Sequence, residues 1–168
     1  MTDTDVSRRS LTIEWEDPAP AAARMPEMTG LDYMTGYLDG SFPVPPIARL
    51  MGLVVTEVEP GRVVFECTAG EQHYNPIGTV HGGLACTMLD SAMGCAVQTT
   101  LPRGQGYTSI DINVSYLRPI LADSGTLRCE GVVTKPGSRV AFAEGRLYDG
   151  AGRLVATATS SLMVFAIQ

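Results

Sequence analysis

The sequence predicts an α+β chain in which an antiparallel sheet of about six strands wraps around one long central helix. Three observations carry that expectation. The run from Gly82 to Leu101 is apolar on every side and interrupted by one acidic residue, Asp90, which is the pattern of a buried helix. About six strand-like segments surround it in sequence, two before it and four after it. Most of these are joined by hairpin signals, which favours antiparallel pairing.

Met1 to Thr29 is rich in Asp, Pro and Ala, with P-A-P-A-A-A from Pro18 to Ala23, and is expected to be an arm. Within it, only Leu11 to Trp15 has the composition to add a strand or dock a partner. Residues 30–168 are expected to form a single domain. Thr29 can N-cap a short helix from Leu31 to Asp39 with Gly40 beyond its end, and Pro45-Pro46 can start another reaching about Met51. Leu53 to Glu59 and Arg62 to Thr68 are valine-rich and meet at Pro60-Gly61, a hairpin signal. A loop, Ala69 to Val80, leads into the long helix, which Pro102, Gly104 and Gly106 close off. Tyr107 to Arg118 alternates, with Ile110, Ile112, Val114 and Tyr116 on one face and Ser109, Asp111, Asn113 and Ser115 on the other. Gly125 to Thr134, Arg139 to Tyr148 and Arg153 to Ile167 complete the strands, separated by K-P-G-S and D-G-A-G turns.

At 168 residues and 45% hydrophobic content, the chain is long enough for one domain that buries about 70% of its unfolded surface. A net charge of -6 and a pI near 4.8 argue against nucleic acid as a partner. Small anions could still meet local cations at Arg118 and at Lys135 to Arg139. Cys67, Cys86, Cys95 and Cys129 form no C-x-x-C pair and are expected to be reduced, packed thiols. With only His73 and His81 beside them there is no metal-ligand spacing, and no metal is expected. The first residues lack the apolar core of a signal peptide, so the cytoplasm is the expected compartment. Gly82 to Leu101 is long enough to mimic a membrane span, but Asp90, Gln98, Thr87, Thr99 and Thr100 favour a buried helix of a globular chain, with no membrane partner.

The chemistry concentrates between Asn75 and Asp90, which read N-P-x-G-x-x-H-G-G-x6-D. Asn75, Pro76 and Gly78 make a turn, and His81, Gly82 and Gly83 open the helix. A helix start offers free N–H donors with the dipole behind them, suited to developing negative charge on a carbonyl oxygen or to any bound anion. A carboxylate held away from bulk water, as Asp90 is expected to be, suits general-base work when a substrate or a water lies within reach. Gly82 and Asp90 are eight residues apart, hence about 12 Å along the axis. They cannot both touch one carbonyl, so if both act on one centre, Gly82 of one subunit must meet Asp90 of another. Gly83, Cys86, Thr87, Asp90 and Gly94 lie on one stripe of small side chains, leaving room for a partner helix or a substrate.

With this motif, S-x-D-x-N at Ser109 to Asn113, Y-L-R-P at Tyr116 to Pro119 and K-P-G-S-R at Lys135 to Arg139, the chain resembles the hotdog-fold acyl-CoA thioesterases over about Leu31 to Phe165, and among them the PaaI-like branch typified by the phenylacetate-degradation thioesterase. The resemblance implies hydrolysis of an acyl-coenzyme A, with CoA as part of the substrate rather than a cofactor. It implies Asp90 as general base or nucleophile, Asn75 orienting the water or the thioester, the Gly82 N–H polarising the carbonyl, and Ser109 helping to hold the water. His81 would fix the loop or assist at the leaving sulfur. Gly83 would let the substrate approach the backbone, and CoA contacts would fall at Arg118 and at Lys135, Gly137, Ser138 and Arg139. It implies self-association as a dimer, and as a dimer of dimers.

Blander readings stand beside these. Asp90 could be a hydrogen-bonded core residue, Asn75 could support only its own turn, and Cys86 is read as a packing residue rather than a nucleophile. A hotdog-fold hydratase or dehydratase is the rival enzyme, but the hydratase pattern of an Asp followed five residues later by His is absent. A non-catalytic acyl-CoA-binding or sensor protein is the rival from another class, and Met1 to Thr29 is too short and Pro-rich to be a DNA-binding domain for one.

Overall fold

The computed structural model describes residues 7–167. The first ordered element is α1, Ala19–Arg24, followed by a single 3-10 turn at Met25–Glu27. The alanine run that reads as part of an arm is thus helical, because alanine has the strongest helix propensity and proline is tolerated in a first turn. Leu11 to Trp15 adds no strand. It runs beside Arg49, Leu50, Thr68 and His73 with Leu11 and Trp15 exposed, and Arg9 pairs with Glu71.

Helix α2, Gly30–Leu38, is capped by Thr29, whose hydroxyl accepts the Asp32 N–H at 3.1 Å. Helix α3, Pro46–Met51, starts on its proline pair and ends at Gly52 in the left-handed region. Strands β1, Leu53–Glu59, and β2, Arg62–Thr68, form the expected hairpin. Helix α4, Gly82–Gln98, precedes β3, Gln105–Tyr116, β4, Thr126–Lys135, β5, Val140–Tyr148, and β6, Leu154–Ala166. The six strands form one antiparallel sheet in the order β1-β2-β4-β5-β6-β3, so the chain crosses the whole sheet between β2 and β3 and α4 makes that crossing.

Helix α4 stops at Gln98 rather than Leu101 because Thr99 and Thr100 turn their hydroxyls back onto the carbonyls of Ala96 and Val97, at 2.6 and 2.7 Å. Thr99 also accepts the Gly61 N–H at 2.7 Å, which ties the helix end to the β1–β2 hairpin.

The core lies between α4 and the inner face of the sheet. Leu84, Met88, Leu89, Met93 and Val97 of the helix are fully buried against residues such as Val63, Leu127, Leu147 and Leu162. Two strand glycines let the helix sit this close. A Cβ on Gly131 would stand 2.2 Å from the Ala92 carbonyl carbon, and one on Gly145 would stand 2.8 Å from the end of the Leu89 side chain. The first contact is with backbone, which has no rotamer to yield; the second is with a flexible tip. Gly131→Ala is therefore expected to destabilise the fold by about 1–3 kcal/mol and Gly145→Ala by clearly less, which urea unfolding midpoints of the two variants will test.

Candidate active site

The loop before α4 is held from several sides. The His81 N–H donates to the His73 carbonyl at 2.7 Å and the Val80 N–H to the Ile120 carbonyl at 2.9 Å. The Tyr74 hydroxyl accepts the Ala122 N–H at 3.0 Å. The Asn75 side chain organises its own turn: Oδ1 accepts the N–H groups of Ile77 and Thr79, at 3.1 and 3.2 Å, and Nδ2 donates to the Thr79 hydroxyl at 2.9 Å. Within one chain Asn75 is thus a turn residue first, with one amide hydrogen still to give.

His81 is the N-cap of α4. Its Nδ1 accepts the Gly83 N–H at 2.8 Å, which leaves the neutral ring's proton on Nε2. The cap occupies the Gly83 donor, whereas the Gly82 N–H has no partner among the described residues. Of the two glycines at the helix entrance, Gly82 is therefore the free donor. Below it lies a residue to which sequence reasoning assigned no part in the site, Tyr116, whose hydroxyl donates to the Gly82 carbonyl at 3.1 Å and whose ring a Cβ on Gly82 would approach to 3.1 Å. The signal was the alternation that places Tyr116 on the face shared with Ile112 and Val114.

Asp90 lies at the middle of α4, and its Oδ1 accepts the Ser109 hydroxyl at 2.7 Å. The strand alternation expected Ser109 to point away with Asp111 and Asn113. A bulge in β3 between Ser109 and Asp111 changes this: Ile110 becomes the extra, exposed residue, Ser109 faces the helix, and Ile112 and Val114 still face the core. Asp90 is half-buried rather than dry. The sheet covers only part of the helix circumference, and Cys86, Thr87, Asp90 and Ser91 lie on the stripe that it leaves partly open.

Arg118 and the turn Lys135 to Arg139 do not share one place. Arg118 follows Tyr116 at the helix-entrance end and donates to the Leu154 carbonyl. The turn lies at the other end, continuing from Val133, which bonds the same Gly61 that holds the α4 C-terminus. The 17-residue helix separates the two by about 25 Å. Gly137 leaves no space for a side chain, since a Cβ would stand 1.9 Å from the Val140 carbonyl oxygen. Lys135 points its ammonium at the Phe142 ring, 6.0 Å from its centre, while Ser138 and Arg139 are exposed.

Burial, with the Asp90 charge beside it, raises the Cys86 thiol above its ordinary range, which disfavours the thiolate that a nucleophile needs. Burial pushes the Cys95 thiol up to about 12; a hydrogen bond from Tyr107 opposes this and the Asp90 charge reinforces it. A thiol that ionises near 9.0 in the unfolded chain and near 12 in the fold contributes stability below pH 9 that is lost between those values. Urea midpoints measured at pH 8 and at about 10.5 are expected to fall less in Cys95→Ala than in the parent.

The model of the Thioesterase superfamily matches residues 77–156. Human acyl-coenzyme A thioesterase 13 is 34% identical over 110 residues, which is 64% of this chain and 77% of that protein. The crystal structure of a phenylacetic acid degradation-related protein from Ralstonia eutropha JMP134 is 34% identical, with a TM-score of 0.71 over 78% of this chain and 98% of that one. The PaaI protein of the E. coli phenylacetic acid degradation operon, at 20% identity, shares the fold, with a TM-score of 0.67 over 74% of this chain and 86% of that one. A sheet wrapped around a helix that opens on the N-P-x-G-x-x-H-G-G motif thus has these relatives for good reason: the chain belongs to the hotdog-fold thioesterase superfamily.

Proposed function

We propose that the chain hydrolyses the thioester of an acyl-coenzyme A to the free acid and CoA. The observation that carries this reading is the pairing of an unoccupied donor, the Gly82 N–H at a helix entrance, with a carboxylate, Asp90, oriented by the Ser109 hydroxyl. The human relative's name, an acyl-coenzyme A thioesterase, supports the substrate class.

With Ser109 on Oδ1, the second oxygen of Asp90 is left for a water. The water oxygen bonds to the thioester carbon as Asp90 takes its proton, and the carbonyl electrons move onto the oxygen facing the Gly82 N–H. Collapse of this intermediate breaks the C–S bond, and the proton held by Asp90 passes to the leaving thiolate. Asn75, with its remaining amide hydrogen, orients the water or the carbonyl. His81 acts through its cap, which commits the Gly83 donor and leaves Gly82 open. The reaction draws only on water and protein groups and uses no cofactor.

The working unit is a dimer in which each site takes Gly82 from one protomer and Asp90 from the other. The 12 Å separation along one helix supports this, as do the partly open stripe of small residues and the twelve-residue β3, an edge strand with one side unpaired. A two-fold axis across the helices would also carry the Lys135 to Arg139 turn of one protomer toward the Arg118 end of the other, reuniting the proposed CoA contacts. Phe142, Met163 and Phe165, exposed on the outer sheet face, support association of two such pairs. Cys67, Cys86, Cys95 and Cys129 are all free thiols, which supports the cytoplasm as the compartment. No helix among the described residues is long and apolar enough to cross a membrane.

Proline is tolerated at the first position of a helix, where Gly82 stands after an extended His81, and it replaces the N–H in question with a ring carbon. Gly82→Ala makes the same Cβ contact with Tyr116 and keeps that N–H. Gly82→Pro is expected to lower kcat by about 10²- to 10³-fold relative to Gly82→Ala, and Asp90→Asn to lower it by about 10²- to 10⁴-fold. Mixing refolded Asp90→Asn and Gly82→Pro subunits restores one intact site per heterodimer if sites are shared. A mixture that stays as inactive as its components, with heterodimers present by mass, counts against sharing.

A further inference from the structure

One titratable side chain beside the proposed site has no part in the steps above. His73 ends a single 3-10 turn, Glu71–His73, two residues before Asn75. Three of its polar groups are committed. Its N–H donates to the Gly70 carbonyl at 3.0 Å, its ring Nδ1 accepts the Gly70 N–H at 3.1 Å, and its carbonyl accepts the His81 N–H at 2.7 Å. Ring and N–H thus bond back to the start of the turn, while the carbonyl reaches forward to the residue that caps α4.

Hydrogen bonds rather than apolar packing place this segment. Glu71, Gln72, Tyr74, Pro76, Ile77 and Gly78 are exposed, whereas His73 is half-buried. Ile77, at 83% exposure, anchors nothing. The Arg9–Glu71 pair is exposed on both sides, and such pairs contribute little. Beyond the turn the chain doubles back on itself: the Asn75 N–H donates to the Thr79 carbonyl at 2.8 Å, and Tyr74 bridges Val80. His73 and His81 are the facing pair at the open end of this loop. Asn75 lies inside it and Gly82 directly follows it, so both take their direction from that pair.

We infer that His73 is a positioning residue for the site: its ring acceptor fixes the 3-10 turn so that its carbonyl holds His81, and through His81 the Gly82 N–H, in register with Asn75. The ring does this only while Nδ1 carries no proton. Burial lowers the ring's proton affinity below the ordinary histidine range, which favours that neutral form. A misplacement of about 1 Å at a reacting centre costs about a hundredfold in rate, so a side chain that touches no substrate acts on turnover through the backbone.

The inference rests on the thioester-hydrolase reading, and the test separates the two. Glutamine at the third position of a helical turn ordinarily accepts the same N–H. His73→Gln therefore keeps the acceptor without the ring, and His73→Leu removes it, with His73→Ala in its place should the leucine variant not fold. Thiol release by the full-length protein is followed on the best-cleaved of acetyl-, hexanoyl-, decanoyl- and phenylacetyl-CoA, and hydrogen exchange of amides 70–81 is followed by mass spectrometry. His73→Leu is expected to lower kcat by about 10- to 100-fold with KM within about twofold of the parent, and to speed exchange in that segment. His73→Gln is expected to return kcat to within about threefold of the parent and to slow exchange again. A leucine variant that keeps kcat within about threefold of the parent, a change in KM alone, or a glutamine variant as impaired as the leucine one overturns the inference and leaves the hydrolase standing. No thiol release from any of the four esters by the parent sinks the hydrolase, and exchange then decides the role of His73. Exchange that is faster in His73→Leu and restored in His73→Gln keeps that role, and exchange unchanged in both overturns it as well.

Discussion

The rigidity of α4 is the constraint on which the rest depends. An α-helix rises by a set amount per residue, so a donor at its first position and a carboxylate at its ninth cannot close on one reacting carbon. Every feature of the proposed site answers to that separation. His81 takes the Gly83 donor and leaves Gly82 open, and Ser109 takes one oxygen of Asp90 and leaves the other. A more flexible segment could fold back and satisfy itself. This one is buried along most of its length.

The sheet sets where those groups sit. Helix α4 lies against bare backbone at Gly131 and close to it at Gly145, which fixes its distance from the sheet and brings its middle turns level with β3. The bulge after Ser109 then rotates that one hydroxyl toward Asp90 while preserving the inward face of Ile112, Val114 and Tyr116. Without the extra residue, either the serine or the apolar residues would face the wrong way, because side chains alternate along a strand.

Much of this was legible in the residues. The strand pairs 53–59 and 62–68, the Thr29 cap, the Pro-initiated α3 and the helix start at Gly82 all follow from local chemistry: valine-rich runs, turn dipeptides, capping side chains and glycine. The readings that needed correction depended on partners remote in sequence. Asp90 is half-buried because one sheet cannot surround a helix completely. Arg118 and Lys135 to Arg139 carry similar charge but lie at opposite ends of α4, a fact of strand direction that spacing does not encode. The helix Ala19–Arg24 in the P-A-P-A-A-A run is a local outcome, set by its alanines with proline in the first turn.

Local composition and periodicity, which act through nearest neighbours on the chain, determined the element order, the antiparallel class and the identity of the motif that opens α4. The tertiary structure decided which N–H at the helix entrance is free and which hydroxyl meets Asp90. Those outcomes turn on contacts between segments tens of residues apart, whose geometry is set by how closely the helix can approach the sheet.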